Sequence, residues 1–189
     1  MVENKNYTIK EEIFLFTCDQ KLSNCGYGEW IEECDKITFD YLGHECMVHR
    51  VFHTDFINQN IYFGGHLCGY VKVPENHVFH TKETIGNIQK IHCHGGVTYN
   101  DNNLSLMHSI DHWIGFDCAH SSDIIPSCHS SKKQQFRCFE KIYRDIHSLV
   151  NLKRFPVPTY KNIFFCIQEC LNIVDQLIGI EKCSFCARK

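Results

Sequence analysis

The sequence predicts an α+β fold in which a mainly antiparallel sheet packs against C-terminal amphipathic helices. Two observations predict this class. Short runs rich in β-branched and aromatic residues, bounded by turn residues, occupy the chain as far as about residue 118. Apolar residues at three- and four-residue spacing occupy the last third. Strands that come before helices, rather than alternating with them, are typical of an antiparallel sheet covered by helices on one face.

The strands can be placed in chain order. The apolar run 12–18 predicts a strand or an added N-terminal element, and the small residues that follow predict a loop at 21–28. The runs 36–42 and 45–52 predict a hairpin that turns at Gly43-His44. Later strands are predicted at 66–73, 88–99 and 112–118, with loops at 76–84, 100–103 and 119–131.

Two amphipathic helices are predicted in the last third. The first covers 134–150, and its apolar face consists of Phe136, Phe139, Ile142, Tyr143, Ile146 and Leu149. Pro156 and Pro158 separate it from a second helix at about 160–178, which we expect Gly179 to end. The apolar stripe of the second helix consists of Ile163, Ile167, Cys170, Leu171, Val174, Leu177 and Ile178. Its predicted outer face consists of Gln168, Glu169, Asn172, Asp175 and Gln176.

Length and charge predict a single domain over residues 1–189 that has no nucleic-acid duplex as a partner. The formal net charge is -3, and no basic block exists beyond Lys132-Lys133, whereas duplex binding needs a concentrated basic face. A small phosphorylated ligand needs only a few local donors and stays open as a partner. The polar N-terminus and the short apolar runs predict a cytoplasmic protein without a membrane span. Whether the protein forms a homo-oligomer is left open.

The thirteen cysteines are expected to be reduced thiols that act as small core residues. Their number is odd, and the sequence shows no export signal that would favour a disulfide scaffold. The single CxxC at Cys183 and Cys186 offers two zinc ligands, but a structural zinc site needs four. A disulfide framework and a zinc site at the tail therefore remain the weaker alternatives.

The first polar cluster lies at residues 91–99 and contains His94-Gly95-Gly96, followed by Thr98 and Tyr99. A glycine pair lets the backbone turn sharply and expose its N–H groups, which can hold a phosphate or carboxylate. The alternative is a tight turn or β-bulge that binds nothing.

The second polar cluster lies at residues 112–123 and spaces Asp117, His120 and Asp123 three residues apart. Asp and His side chains within reach of one another serve as metal ligands, or as a general base held by a carboxylate. The alternative is that they only anchor a polar loop. The chain contains no HExxH, no Walker loop, no GxGxxG and no nucleophile elbow, which excludes the commonest nucleotide-binding and hydrolase classes.

Three longer strings resemble a known family: GYVxVPxxH at 69–77, HGGVTY at 94–99 and WIGFDCAHxxDxxP at 113–126. They are similar to a family of small proteins of uncharacterised activity that recurs in bacteriophage genomes and in some bacteria. The resemblance covers residues 28–177, so 1–27 and 180–189 are terminal extensions, and extra residues lie between Pro126 and Tyr160. It implies that the two polar clusters form one site, and a viral setting, in which the protein would act in the host cell cytoplasm.

Three functions stay open at this point. The first, which we favour from the sequence, is a binding protein without turnover for a small, phosphorylated, nucleotide-type ligand, which could sequester an immune signalling molecule of the host. The second is a metal-dependent hydrolase in which His94, Asp117, His120 and Asp123 bind one divalent metal. The third is a protein–protein interaction module. The predicted ligand-binding residues are Tyr70, His94, Gly95, Gly96, Thr98, Tyr99, Trp113, Asp117, His120 and Asp123.

Overall fold

A computed structural model of the chain describes residues 6–54, 61–80, 88–102, 104, 111–126 and 158–186, with the side chains of 53–54, 61–63 and 182–186 left out. Within these ranges a six-stranded sheet packs against a long C-terminal helix, which confirms the α+β class. The strands are β1 (Thr8–Ile13), β2 (Lys36–Tyr41), β3 (His44–Thr54), β4 (Ile61–Lys72), β5 (Tyr99–Asp101) and β6 (Trp113–Asp117). The described helices are α1 (Cys18–Cys25) and α2 (Ile163–Cys186).

The strands lie in the order β1-β2-β3-β4-β6-β5, and every neighbouring pair is antiparallel. The hairpin between β2 and β3 was correctly predicted, although it turns one residue earlier than expected. Leu42 and Gly43 both have positive φ, 49° and 84°, and His44 already pairs with Tyr41. Two successive residues with positive φ make the mirror-image turn whose twist suits a two-residue hairpin.

The prediction of a strand at 88–99 is wrong for most of these residues. Only Tyr99–Asp101 forms a strand, β5, and it includes two residues that were predicted as a turn. The segment before Thr98 does not pair with the sheet, and side chains of α2 bind its backbone instead: Gln176 Oε1 accepts from His92 N at 2.8 Å, and Glu169 Oε2 accepts from His94 N at 2.7 Å. The segment therefore lies against α2 and delivers its polar residues there.

Helix α1 occupies most of the region that was predicted as a loop, so this prediction was wrong too. Thr17 and Gln20 form a reciprocal capping box: Thr17 Oγ1 accepts from Gln20 N, and Gln20 Oε1 accepts from Thr17 N. Lys21 and Cys25 point inward from the helix and are buried. The small residues at positions 23–28 made the region look like a loop in the sequence, although Thr17 caps a helix there. Gly26 caps the C-terminal end of this helix.

Helix α2 begins where predicted but runs past Gly179 to Cys186, so Gly179 does not end it. Asn162 Oδ1 accepts a hydrogen bond from Phe165 N at 3.0 Å and caps its first turn. The residues of its apolar stripe that are buried in the core are Ile163, Ile167, Cys170, Leu171, Val174 and Leu177. The stretch Ile163–Glu181 is long and apolar enough to cross a membrane by composition alone, but a core helix has the same composition. The helix predicted at 134–150 lies outside the described residues.

The sheet buries apolar side chains on both faces. Because successive side chains of a strand point to opposite faces, Ile114 and Phe116 of β6 face α2, whereas Trp113 faces the other way. We call the second group the far-face cluster, and its members are Met47, Cys68, Tyr70, Leu104 and Trp113. The continuous apolar run Cys46-Met47-Val48 on β3, fully buried at all three positions, fits a strand covered on both sides.

A buried ion network joins the N-terminal segment, β3 and the chain just before α2. Arg50 is 2% exposed, and its guanidinium contacts Asp35 at 2.9 Å, Glu33 at 2.8 Å and the hydroxyl of Tyr160 at 2.9 Å. Lys21 Nζ lies 3.0 Å from the same Asp35 carboxylate. Trp30 packs edge-on against Tyr160 at 5.2 Å. Two cations face two carboxylates, so the buried charges are matched.

Candidate functional site

The candidate site lies where three segments meet: the turn that follows β6, the segment 92–96, and the first turns of α2. The turn is held by backbone hydrogen bonds, from Cys118 N to Leu67 O at 3.0 Å and from Asp123 N to His120 O at 2.9 Å. A short parallel bridge between Asp123 and Thr159 joins the turn to the chain entering α2. The two polar clusters of the sequence are thereby brought together.

At the centre, the side chains of His94 and His120 converge on the carboxylate of Asp123. His94 Nε2 lies 2.8 Å from Asp123 Oδ2 and 3.0 Å from Oδ1, and His120 Nδ1 lies 3.2 Å from Oδ2. The Asp123 side chain is fully buried, whereas those of His94 and His120 are 16% and 31% exposed. One ligand atom from each residue fits within a span of 4.8 Å. We call these three residues the triad.

Gly95 allows His120 to reach the triad. A Cβ atom built on Gly95 would lie 2.0 Å from both Cε1 and Nε2 of the His120 ring, so the ring rests directly on the glycine backbone. Gly95 also has a φ of +66°, which disfavours any residue with a side chain. The adjacent Gly96 has a φ of +87° as well, but a Cβ there would meet nothing within 4 Å.

Helix α2 positions His94 through side chains that the sequence placed on its outer face. Glu169 accepts from His94 N, and Gln176 makes a two-bond contact with His92, donating to its carbonyl oxygen at 2.8 Å and accepting from its N–H at 2.8 Å. Glu169 and Gln176 are seven residues apart, which is two turns, so both project from one side of the helix. Their polar character fitted a solvated face equally well, and the sequence could not reveal the contact.

Lys161 and Phe165 complete the surroundings of the triad and were not among the predicted site residues. The ring of Phe165 meets the His94 ring edge-on at 5.3 Å, and Lys161 Nζ lies 5.2 Å from the centre of the same phenyl ring. Lys161 Nζ is 3.9 Å from Asp123 Oδ1 and donates to Thr159 Oγ1 at 2.5 Å. The only sequence signal for Lys161 was its place in the short string Tyr160-Lys161-Asn162.

Asp117 lies beside the triad rather than in it. Its Oδ1 atom is 3.9 Å from His120 Nδ1 and accepts a hydrogen bond from Ala119 N at 3.0 Å. Of the other predicted residues nearby, Gly96 N donates to Cys93 O at 3.0 Å and Thr98 N donates to Gly115 O at 2.9 Å. With His94 N bound by Glu169, two of the three amides in the His-Gly-Gly turn already have protein acceptors.

The aromatic residues among the predicted ligand-binding residues, whose rings could stack on a base, lie on the opposite side of the sheet. Tyr70 and Trp113 belong to the far-face cluster, at 8% and 0% exposure, and Tyr99 packs against Tyr70 with ring centroids 5.3 Å apart. Burial raises the pKa of the Tyr70 and Tyr99 hydroxyls above the ordinary value. The structure therefore brings His94, Gly95, Asp117, His120 and Asp123 together and separates them from these three rings.

Thiols lie beneath the triad. Cys118 and Cys166 are buried with their Sγ atoms 3.7 Å apart, and their mutual hydrogen bond together with burial raises the pKa of Cys118. Burial raises the pKa of Cys93 to about 12. Protonated thiols are weak ligands and weak nucleophiles, so these residues act here as small core side chains. The nine cysteines whose side chains the structure describes are all free.

The charge around the triad favours a cation over an anion. Three carboxylates, those of Asp117, Asp123 and Glu169, lie at or beside it. Within the described ranges, Lys161 is the lysine or arginine that forms an ion pair with the triad. An anion placed at the His-Gly-Gly turn would face Glu169 and find few unbonded amides, whereas a divalent cation would meet two imidazoles and a carboxylate.

Comparison of the chain with protein-family models, with curated protein sequences and with solved structures gives no match in any of the three. The resemblance to the phage-associated family stays a prediction from the motifs, and the functional proposal rests on the residues of the site.

Proposed function

We propose that this protein binds one divalent transition-metal ion through His94, His120 and Asp123 and is a metal-dependent hydrolase of a small substrate. The observation that supports this most is the convergence of the triad, whose ligand atoms come from two segments about 25 residues apart and lie within 4.8 Å of one another. Two imidazoles and one carboxylate are the donor set that hydrolytic zinc sites use, with a further position left for water or substrate.

The spacing of the triad suits such an ion. In a tetrahedral site with bonds of about 2.1 Å, neighbouring ligand atoms lie about 3.4 Å apart. The contacts of Asp123 with His94 and His120, at 2.8 to 3.2 Å, are slightly shorter, and all three ligand atoms lie within 4.8 Å of one another, so the side chains would need to adjust only locally to hold an ion. Gly95, against which the His120 ring rests, and Glu169, which holds the His94 backbone, fix the direction of each imidazole, as outer contacts do in metal sites.

An ion in this site would supply Lewis-acid chemistry, polarising a phosphoryl or carbonyl oxygen and making water more acidic. Asp117 lies beside the triad without joining it, and its carboxylate, which accepts a hydrogen bond from Ala119 N, would accept a proton from the attacking water. Hydrolysis of a phosphoester would then join the water oxygen to phosphorus, break the ester P–O bond and return the proton to the leaving oxygen. An amide would be split in the same way at its carbonyl carbon.

The substrate class comes from the setting that the motifs imply. A small accessory protein of phage type that acts on a phosphorylated, nucleotide-type molecule would remove a signal of host immunity, whether by hydrolysis or by retention. The separation of Tyr70 and Trp113 from the triad gives no support to base stacking by those rings. The ligand contacts in this proposal are therefore those of the metal, Asp117 and the polar residues that surround them.

The test is metal binding by the full-length protein and its variants His94→Gln, His120→Gln and Asp123→Asn. His92→Gln is the matched control, because His92 is an exposed histidine two residues from His94 and outside the triad. After loading with Zn²⁺ or Mn²⁺ and desalting, we expect one equivalent in the parent protein and in the control. We expect affinity to fall more than about 100-fold in each triad variant. Circular dichroism checks that each variant is folded.

Turnover is measured on the same samples with phosphomonoesters, phosphodiesters and cyclic dinucleotides as substrates. Product released by the parent protein and abolished in His120→Gln supports the hydrolase. If the protein binds metal but every substrate is recovered intact, the protein is a binding protein and the proposed hydrolase activity is contradicted. A parent protein that holds no metal, or a His120→Gln variant that binds it as tightly, would contradict the metal centre itself.

A further inference from the structure

We infer that Lys161 binds an anionic oxygen of the substrate and so selects a phosphorylated molecule over a neutral amide. This inference rests on the metal centre proposed above and assigns one residue that determines its specificity. Lys161 Nζ is 3.9 Å from Asp123 Oδ1, so its positive charge lies beside the carboxylate that would hold the metal and would be near a substrate bound to that metal.

The contacts of Lys161 leave it able to donate further hydrogen bonds. Its Nζ atom carries three N–H donors. One goes to Thr159 Oγ1, and the distance of 3.9 Å to Asp123 is too long for a hydrogen bond. The described part of the chain provides no other polar acceptor for it, and the ammonium group itself lies over the ring of Phe165, 5.2 Å from the ring centre. A cation that is fixed in position and not saturated by its neighbours is ready to receive an anion.

The position of Lys161 favours a phosphate over other groups. The Phe165 ring contacts both Lys161 and His94, so the ammonium group and the triad are neighbours around one phenyl ring. A phosphate has several charged oxygens, and one can meet the ammonium while another faces the metal. A neutral amide or ester carbonyl offers one uncharged oxygen and cannot occupy both places. The side chain of Lys161 is 17% exposed, which lowers the screening of such a charge pair.

A carboxylate shares this chemistry, so the experiment must separate the two anions. Metal-loaded, desalted full-length protein is titrated with inorganic phosphate and, separately, with acetate by isothermal calorimetry. The variants are Lys161→Met, which keeps the stem, and Lys161→Arg, which keeps the charge. Lys10→Met is the matched control: Lys10 also pairs with a carboxylate, that of Asp40, but it lies on β1, the strand at the sheet edge opposite β5 and β6.

We expect Lys161→Met to weaken phosphate binding at least about tenfold, the loss of one charge-assisted hydrogen bond. Lys161→Arg should recover most of that loss, which a merely structural role would not explain, and Lys10→Met should bind as the parent does. Metal content, measured on the same samples, should be one equivalent throughout. With phosphoester substrates, Lys161→Met should raise KM, and Lys161→Arg should restore it.

The possible failures are distinguishable. If metal-loaded Lys161→Met binds phosphate as tightly as the parent protein, the proposed role of Lys161 is overturned, while the proposed metal centre is unaffected. Acetate bound as tightly as phosphate, with the same dependence on Lys161, overturns the choice of phosphate. A parent protein without metal in these samples overturns the proposed function, and this inference with it.

Discussion

The closest fit in the site is between the His120 ring and the backbone of Gly95. The ring occupies the volume that a side chain at position 95 would need, with two of its atoms 2.0 Å from the place of a Cβ. Gly96, next in the chain, shares the left-handed backbone but faces open space. The two glycines therefore separate the effect of backbone strain from the effect of contact with the triad.

We predict that Gly95→Ala displaces His120 and weakens metal binding at least about tenfold, because the ring must move or the turn must open. Gly96→Ala should cost about 1–2 kcal/mol of stability through its positive φ and leave metal affinity within about threefold of the parent. Isothermal calorimetry and urea unfolding of both variants measure the two quantities. Equal metal affinities in the two variants would show that His120 does not depend on this contact.

At the residue level, the sequence predicted the triad better than its surroundings. His94, Asp117, His120 and Asp123 were singled out because two histidines and two aspartates fall in two short polar clusters, with Asp117, His120 and Asp123 three residues apart. Glu169 could not be predicted, because a charged residue on a helix surface has the same pattern whether it faces water or a loop 75 residues away. Which of these it faces is decided by the packing of α2 on the sheet. Lys161, just before α2, likewise gave no sign of its contact with Asp123.

Among the elements, β3 shows how strand pairing sets the chemistry of a side chain. His49 lies between Lys36 of β2 and Cys68 of β4, and its Nδ1 atom is buried without a hydrogen-bond partner. Burial lowers the pKa of His49 to about 4, and the positive charges of Lys36 and Arg50 act in the same direction. Asp35 opposes them but does not outweigh burial.

We predict that His49 makes the fold less stable in acid. Below pH 6.5 His49 becomes protonated in the unfolded chain, whereas in the folded protein it stays neutral down to about pH 4. The free energy of unfolding therefore falls as the pH is lowered from 6.5 to 4. Urea unfolding at pH 7 and pH 4.5 should show this loss, and in His49→Gln the loss should be smaller by about 2 kcal/mol. The control His92→Gln, at an exposed position, should behave as the parent. An unchanged acid loss in His49→Gln would contradict the prediction.

Strands and helices with a regular apolar pattern were predicted well, whereas segments defined by polar contacts were not. The apolar runs at β2, β3, β4 and β6 placed these strands to within a few residues at most ends. The segment 88–98 has the composition of a strand, but Gln176 and Glu169 of α2 bind the amides of His92 and His94, whereas Thr98, at its end, donates to Gly115 O of the sheet. Helix α1 depends on a side-chain cap at Thr17 that local small residues conceal.

At the scale of the whole molecule, α2 and the sheet share one core. Leu171 is fully buried in the centre of the helix, and Phe164 on the same helix is 68% exposed. We predict that Leu171→Ala lowers the free energy of unfolding by about 2–5 kcal/mol, because a cavity replaces the side chain. Phe164→Ala, which also shortens a large apolar residue, should cost less than about 1 kcal/mol. Chemical denaturation of both variants is the measurement, and equal losses would mean that α2 is not packed as described.

The sequence did not predict that both faces of the sheet are buried, because it indicated helices on one face only. Alternation along β6 assigns Trp113 to the far-face cluster and Phe116 to the core under α2, although both are large aromatic residues. A fully buried strand shows no polar face in its sequence, so hydrophobicity alone does not tell how many layers cover it.

The two tryptophans of the chain give the molecule a pair of natural optical reporters. Trp30 lies beside Tyr160 and donates from Nε1 to Gly26 O at 3.1 Å, whereas Trp113 is enclosed in the far-face cluster. Both indoles are buried, so each should emit at short wavelength in the native state and shift to the red when water reaches it. Two variants would separate the signals. Trp113→Phe would leave Trp30 as the reporter of the contact with Tyr160, and Trp30→Phe would leave Trp113 as the reporter of the far-face cluster. Comparing the two emission transitions would then show whether the layers on either side of the sheet come apart together or one before the other.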